Sequence, residues 1–120
     1  MKGSSRRPEQ MAETIRQVVA DALVRGEVRD PRVRAVTVTR VDVSPDRSHA
    51  KVFVSVPGDE AERMASRDGL RSAAGFLRSR LARVLTTRTV PELHIELDRG
   101  LEHAARINEL LEGIRREEQD

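Results

Sequence analysis

The sequence predicts an α+β fold, with helices packed on one face of a small three-stranded sheet. Three observations predict it. Apolar residues switch along the chain between helical and alternating spacing. Those segments follow the order α-β-β-α-(break)-α-β-α. No internal repeat and no long linker divides the 120 residues, which suffice for one core and are too few for two ordinary domains.

Residues 1–7 carry Lys2, Arg6 and Arg7 without an acid and read as a flexible basic arm. Pro8 suits a first helical turn. Met11, Ile15, Val18, Val19, Ala22 and Leu23 then recur at helical spacing, and Gly26 marks the stop, so a helix is expected over about 8–25. The "RDPR" stretch breaks the chain. "VRAVTVTRVDVS" (33–44) is rich in Val and Thr and predicts a strand. "SPDRS" has turn chemistry. "HAKVFVSV" (49–56) alternates, with Ala50, Val52, Val54 and Val56 on one face. The two strands form an antiparallel hairpin.

Asp59 is placed to cap the next helix, with Glu60 and Glu62 in its first turn. Helical spacing runs on through Leu70, Ala73, Ala74, Leu77, Leu81, Val84 and Leu85, interrupted by Gly69 and Gly75. "VPELHIELD" is the third strand, with Leu93, Ile95 and Leu97 inward and His94, Glu96 and Asp98 outward. Leu101, Ala104, Ile107, Leu111 and Ile114 line a last helix expected to pack on the core. The domain is expected over 8–114, and 115–120 as a frayed charged tail.

Composition narrows the function. Charged residues make up 35% and the formal net charge is only +2, so basic character is a matter of placement. All but two of the 22 basic residues are arginine. Arginine forks onto phosphate; a compositional bias of the source genome gives the same excess. There is no cysteine, hence no disulfide, zinc-thiolate site or thiol nucleophile. No apolar run approaches membrane-spanning length, and no secretory signal opens the chain. A cytoplasmic protein without membrane partners is expected. Phe53 and Phe76 are the only aromatic residues. Base stacking has little to work with, so nucleic acid would be gripped by its backbone.

The stretch "LRSAAGFLRSRLARVLTTR" (70–88) concentrates that chemistry. It holds Arg71, Arg78, Arg80, Arg83 and Arg88, and no acid lies between Asp68 and Glu92. On a helical wheel the apolar residues form one stripe. The opposite face holds Ser72, Gly75, Ser79 and Ala82, all small. Arg71 and Arg78 flank this track on one side and Arg83 on the other, with Arg80 nearer the apolar edge. Small residues let another backbone approach closely. A kink at Gly75 would also open a helix N-terminus to anions. From periodicity alone, a nucleic-acid face and a solvated surface with a packing glycine both fit.

At this point the chain resembles bacterial ribosome-binding factor A over about residues 6–114. The resemblance rests on "DPR" (Asp30–Arg32), "DRSHAKVFVSV" (Asp46–Val56), "AAGFLRSRL" (Ala73–Leu81) and "RTVPELHIELD" (Arg88–Asp98). It implies a type II KH-like domain, α-β-β-α-(kink)-α-β plus a C-terminal helix. It also implies that an Ala-x-Gly kink, here Ala73-Ala74-Gly75, replaces the usual KH gripping loop. The family implies a ribosome assembly factor that binds the free small (30S) subunit and its 16S rRNA. It assists late maturation and 5′-end processing of that rRNA and supports growth in the cold. The RNA-binding residues expected are Arg71, Ala73, Ala74, Gly75, Arg78, Arg80, Arg83 and Arg88, with Lys2, Arg6 and Arg7 of the arm. Contacts from Arg71, Arg78, Arg80 and Arg83 to four phosphates would give a log-affinity against log-salt slope of about −3. Two features depart from the family pattern: Pro45 in the hairpin connection, and a charged tail shorter than in some members.

Other constellations are weak. His94 and Glu96 share a strand face, but a pair without a third ligand does not make a metal site. No nucleotide-binding or nucleophile-elbow motif occurs. Asp98 and Glu102 read as solvated or capping residues rather than an acid–base pair. The expectation is a monomer without enzymatic activity, cofactor, metal or small-molecule ligand. Two alternatives stay open: a KH-like module for mRNA or small RNA, and a protein–protein adaptor using the acidic segment Asp59–Asp68.

Overall fold

A computed structural model describes residues 7–100 and 110–114. Its elements are α1 (Pro8–Val24), β1 (Thr37–Val43), β2 (His49–Ser55), α2 (Glu60–Ser72), α3 (Ala74–Ala82) and β3 (Glu92–Leu97). The sheet order is β1-β2-β3. β1 pairs antiparallel with β2, and β3 pairs parallel with β2. The parallel pair requires a crossover, which α2 and α3 provide. This is the α-β-β-α-break-α-β order of the KH-like expectation.

Each element follows from local chemistry. Pro8 sits in the first turn of α1, where its missing N–H costs nothing. Gly26 ends the helix with φ +68°, and the Glu27 N–H closes onto the Ala22 carbonyl at 3.0 Å. Asp59 and Glu62 form a reciprocal capping box at the start of α2. The hairpin turn is tied by Asp46, whose carboxylate accepts from the hydroxyls of Ser44 and Ser48 at 2.7 Å each. Those bonds hold its pKa down to about 2. Arg47 takes φ +62° in this turn.

The helices cover one sheet face. Met11, Ile15, Val19, Ala22, Ala50, Val52, Val54, Leu70, Leu77, Leu81, Leu93 and Ile95 interlock as the core. Burying a large apolar side chain there contributes about 1.5–3 kcal/mol. The in–out alternation of β2 is the one the sequence predicts, with Ala50, Val52, Val54 and Val56 buried.

Four expectations need correction. The first strand begins at Thr37 rather than at 33. Residues 33–36 instead turn through Ala35 at φ +50°, and Val33 packs onto α2. A methyl at Gly69 would lie 2.9 Å from Val33 Cγ2, so this glycine admits the loop. Asp30 anchors the same loop. Its carboxylate accepts from the Arg32 guanidinium and backbone N–H, which lowers its pKa to about 2. Second, the helix ends at Ala82, so Val84 is 55% exposed instead of joining the apolar stripe. Third, the break falls at Ala73, the first residue of the Ala73-Ala74-Gly75 motif, rather than at Gly75 as the helical wheel suggests. Fourth, residues 110–114 are helical, but Leu111 and Ile114 are exposed rather than part of the core. Leu101, Ala104, Ile107 and the tail 115–120 lie outside the described residues.

Candidate nucleic-acid interface

The break between α2 and α3 sets the geometry. Ala73 has φ −90° and ψ 0° and serves both helices as a cap. Its N–H is shared between the carbonyls of Gly69 and Leu70, at 3.2 and 3.0 Å. Its carbonyl accepts the Leu77 N–H to start α3. The change of direction lets Leu70 on one helix and Leu77 and Leu81 on the next all reach the core. α3 begins without a side-chain cap and without an acid in its first turn. Its first amides therefore keep their affinity for an anion.

Ala74 opens α3, and Gly75 follows inside its first turn, exposed. Beyond its chain neighbours and its own helix backbone, no atom among the described residues lies within 4 Å of where its Cβ would be. The glycine is thus not needed to make the break. Its effect is to leave the crest bare. Ser72, Ser79 and Ala82 are exposed beside it. The two serine hydroxyls fold back onto the Asp68 and Gly75 carbonyls at 3.1 Å, so they do not crowd the track. The small-residue face is as the wheel predicts.

Gly75→Ala tests this. Alanine fits the helical backbone without a clash and is expected to raise stability by about 0.5–1 kcal/mol. The added methyl is expected to weaken binding of a small-subunit rRNA fragment severalfold. Thermal unfolding and fragment titration on the same sample check both; undiminished binding would mean the crest touches no RNA.

The arginines divide into two groups. Arg71 and Arg78 lie on the β3 side. The Arg71 Nε donates to the Ile95 carbonyl at 3.1 Å, and its guanidinium sits 3.6 Å from Glu96. Arg78 donates from Nε and NH2 to the Val90 carbonyl, at 3.3 and 2.8 Å. Arg80 turns the other way, onto Glu27 beyond the end of α1, in a half-buried ion pair. It also lies 5.8 Å over the Phe76 ring. Arg83 caps the end of α3 and is exposed, as is Arg88 in the loop before β3. Among the described residues, Arg78, Arg83 and Arg88 have no carboxylate within ion-pair distance.

The four arginines are therefore not equivalent. Arg80 is neutralised by Glu27, and the Glu27 Oε1 is itself buried without a partner. Freeing Arg80 would strand a carboxylate, which is costly. Of the basic arm, Arg7 is exposed and takes an extended conformation before α1; Lys2 and Arg6 lie outside the described residues.

Several residues escaped the sequence reading. On the open face of the sheet, the Arg40 guanidinium stacks 4.1 Å from the Phe53 centroid. Alternation along the second strand sets Phe53 opposite the apolar face, but only the pairing of Arg40 with Phe53 joins them. His94 does not act with Glu96; its nearest polar partner is His49, at 2.9 Å. Asp98 accepts from the Thr39 hydroxyl and from the Gly100 N–H. The acids of Asp59–Asp68 are occupied within the chain. Asp59 and Glu62 cap α2, Glu60 pairs with Arg99, and Asp68 pairs with Arg67.

Residues 7–111 match the family profile described as ribosome-binding factor A. The chain belongs to the ribosome-binding factor A family. A ribosome-binding factor A from Rhodopirellula baltica is 53% identical over 97% of this chain and 84% of its own length. One from Thermomicrobium roseum is 49% identical over 96% of this chain and 88% of its own. The solution structure of a candidate ribosome-binding factor A from Thermotoga maritima superposes with a TM-score of 0.70 at 33% identity, covering 80% of this chain and 91% of that one. A homology model of the Thermus thermophilus ribosome-binding factor A, as fitted into the cryo-EM map of a 30S complex, superposes with a TM-score of 0.56 at 27% identity, over 71% of this chain and 88% of that one. Among the described residues no helix is long and apolar enough to cross a membrane.

Proposed function

We propose that this chain is a non-enzymatic assembly factor that binds the free small ribosomal subunit through the backbone of its 16S rRNA. The observation that carries this reading is the bare crest at Gly75, on an acid-free helix start, beside arginines that no carboxylate among the described residues neutralises. Family membership supports it, as does the Thermus thermophilus relative placed on a 30S subunit.

The contact would run along the track from Ser72 to Ala82. Phosphates approach the α3 amides, and Arg78 and Arg83 reach in from either side. Binding one conformation of immature rRNA more tightly than the mature one shifts the population toward it. Assistance in late maturation, in 5′-end processing and in growth at low temperature follows from such a shift. Action as a cytoplasmic monomer is part of the same proposal. A role as an acidic adaptor is disfavoured, because the acids of Asp59–Asp68 are spent internally.

The test is ionic strength. Three phosphate contacts from Arg78, Arg83 and Arg88 give a log–log slope between about −2 and −3, at about 0.7–0.9 per contact. Titrating a small-subunit rRNA fragment at several salt concentrations measures it, and a flat response would overturn the proposal. Pull-down from cells, comparing precursor with mature 16S rRNA, tests the maturation step.

A further inference from the structure

We infer that the open face of the sheet carries a transition-metal site built from His49, Glu92 and His94. This site uses none of the crest residues and does not depend on the RNA-binding reading.

The three residues meet because of sheet register. His49 opens β2 and stands opposite Glu92 on β3. His94 follows Glu92 by two positions, so both project from the same face. Their neighbours Ala50, Leu93 and Ile95 point inward and are buried. All three donors therefore project to the face that none of the described helices covers. The His49 Nδ1 lies 2.9 Å from the His94 Nε2 and 3.8 Å from the Glu92 Oε2. All three ligand atoms lie within 4.8 Å of one another.

These distances suit a metal after small adjustments. Two ligands at about 2.0–2.1 Å from a tetrahedral centre stand about 3.3 Å apart. The imidazoles would part slightly and the carboxylate would draw in. Both movements are open to side chains on the surface. Without a metal, the close nitrogen pair needs one ring to donate its N–H into the lone pair of the other. A metal ion takes a lone pair from each ring instead.

The backbone beneath is already fixed. The His49 N–H donates to the Ser44 Oγ at 3.1 Å, and its carbonyl accepts the Ser44 N–H at 2.9 Å. The Glu92 N–H donates to the Ser48 carbonyl at 2.9 Å. Asp46 clamps both serines. The ligands thus rest on a locked sheet end and not on a loop that must order on binding.

Two imidazoles and one carboxylate select zinc(II), nickel(II) or copper(II) over magnesium or calcium, which prefer all-oxygen shells. Three protein ligands leave a fourth position open to solvent.

Calorimetric titration of the full chain with zinc(II), repeated with cobalt(II) followed by its visible absorption, tests the site. Saturation at one ion per chain is expected, with no response to magnesium(II). His49→Ala, Glu92→Gln and His94→Ala should each weaken binding at least tenfold. His103→Ala, which removes the remaining histidine, should leave it unchanged. All three ligand variants alter exposed or half-exposed side chains, and circular dichroism checks their fold. Absence of saturable binding, full affinity in any ligand variant, or loss in His103→Ala would overturn the inference.

Discussion

Replacing Arg78 by glutamate is expected to abolish co-sedimentation with free small subunits while the fold stays intact. Arg78 is exposed, and its guanidinium spends only part of its five donors on the Val90 carbonyl. No carboxylate among the described residues cancels its charge, so a phosphate can. Reversal removes that attraction and sets a negative charge beside the RNA backbone. Affinity for a small-subunit rRNA fragment should fall about a hundredfold, equivalent to about 2.7 kcal/mol. The structural cost is small. The Val90 carbonyl loses its donors at a wet surface, where water substitutes, at about 1 kcal/mol or less. Arg80→Glu would be a poorer probe. It would face Glu27 with a second carboxylate and damage the packing of α3 on α1 as well as any binding. If Arg78→Glu still sediments with the subunit at full occupancy, the contact lies elsewhere on the molecule.

The contrast between those two arginines shows what a sequence holds and what it withholds. Periodicity placed α1, β2, α2 and β3 well, because their buried residues are spaced by local backbone geometry alone. Asp59 was legible as a cap for the same reason. The wheel also put Arg80 near the apolar edge, where it is half-buried. It could not show that Glu27, far away in sequence, waits there, nor that a main-chain carbonyl holds Arg78. The site at His49, Glu92 and His94 was hidden for a related reason. Two of its ligands sit two apart on one strand, but the third arrives through the parallel pairing of β2 with β3. Pattern reading predicts strands but not the register between strands joined by a crossover. The wheel centres the break on Gly75 because glycine is the expected weak point of a helix, whereas it falls two residues earlier, at the start of the Ala73-Ala74-Gly75 motif. Here Ala73 makes the break, since Leu70 and Leu77 must both be buried, and Gly75 is left to keep the crest bare.

Leu77→Ala is expected to produce the largest loss of stability, about 3 kcal/mol within a 2–5 kcal/mol range. Leu77 is 0% exposed and sits on α3, between α1 and β3. α3 is only nine residues long, too short to hold as a helix without tertiary packing. Its anchors are Leu77 and Leu81, and removing one leaves a cavity that a short helix cannot close by shifting as a body. Against a total of about 5–15 kcal/mol, the loss is a large fraction. The midpoint of thermal unfolding should fall by at least about 10 °C. Hydrogen exchange should show the loss first in α3 and later in β2, because α3 is held by few contacts and β2 is the central strand. RNA binding should weaken too, and recover on cooling as α3 repopulates. This differs from Gly75→Ala, two residues away, where stability rises and affinity falls at every temperature. One helix thus separates the two demands: Leu77 holds it to the core, and Gly75 keeps its outer face clear. A shift of only a degree or two in Leu77→Ala would mean that α3 is not held by the core, and the ridge would lose its support.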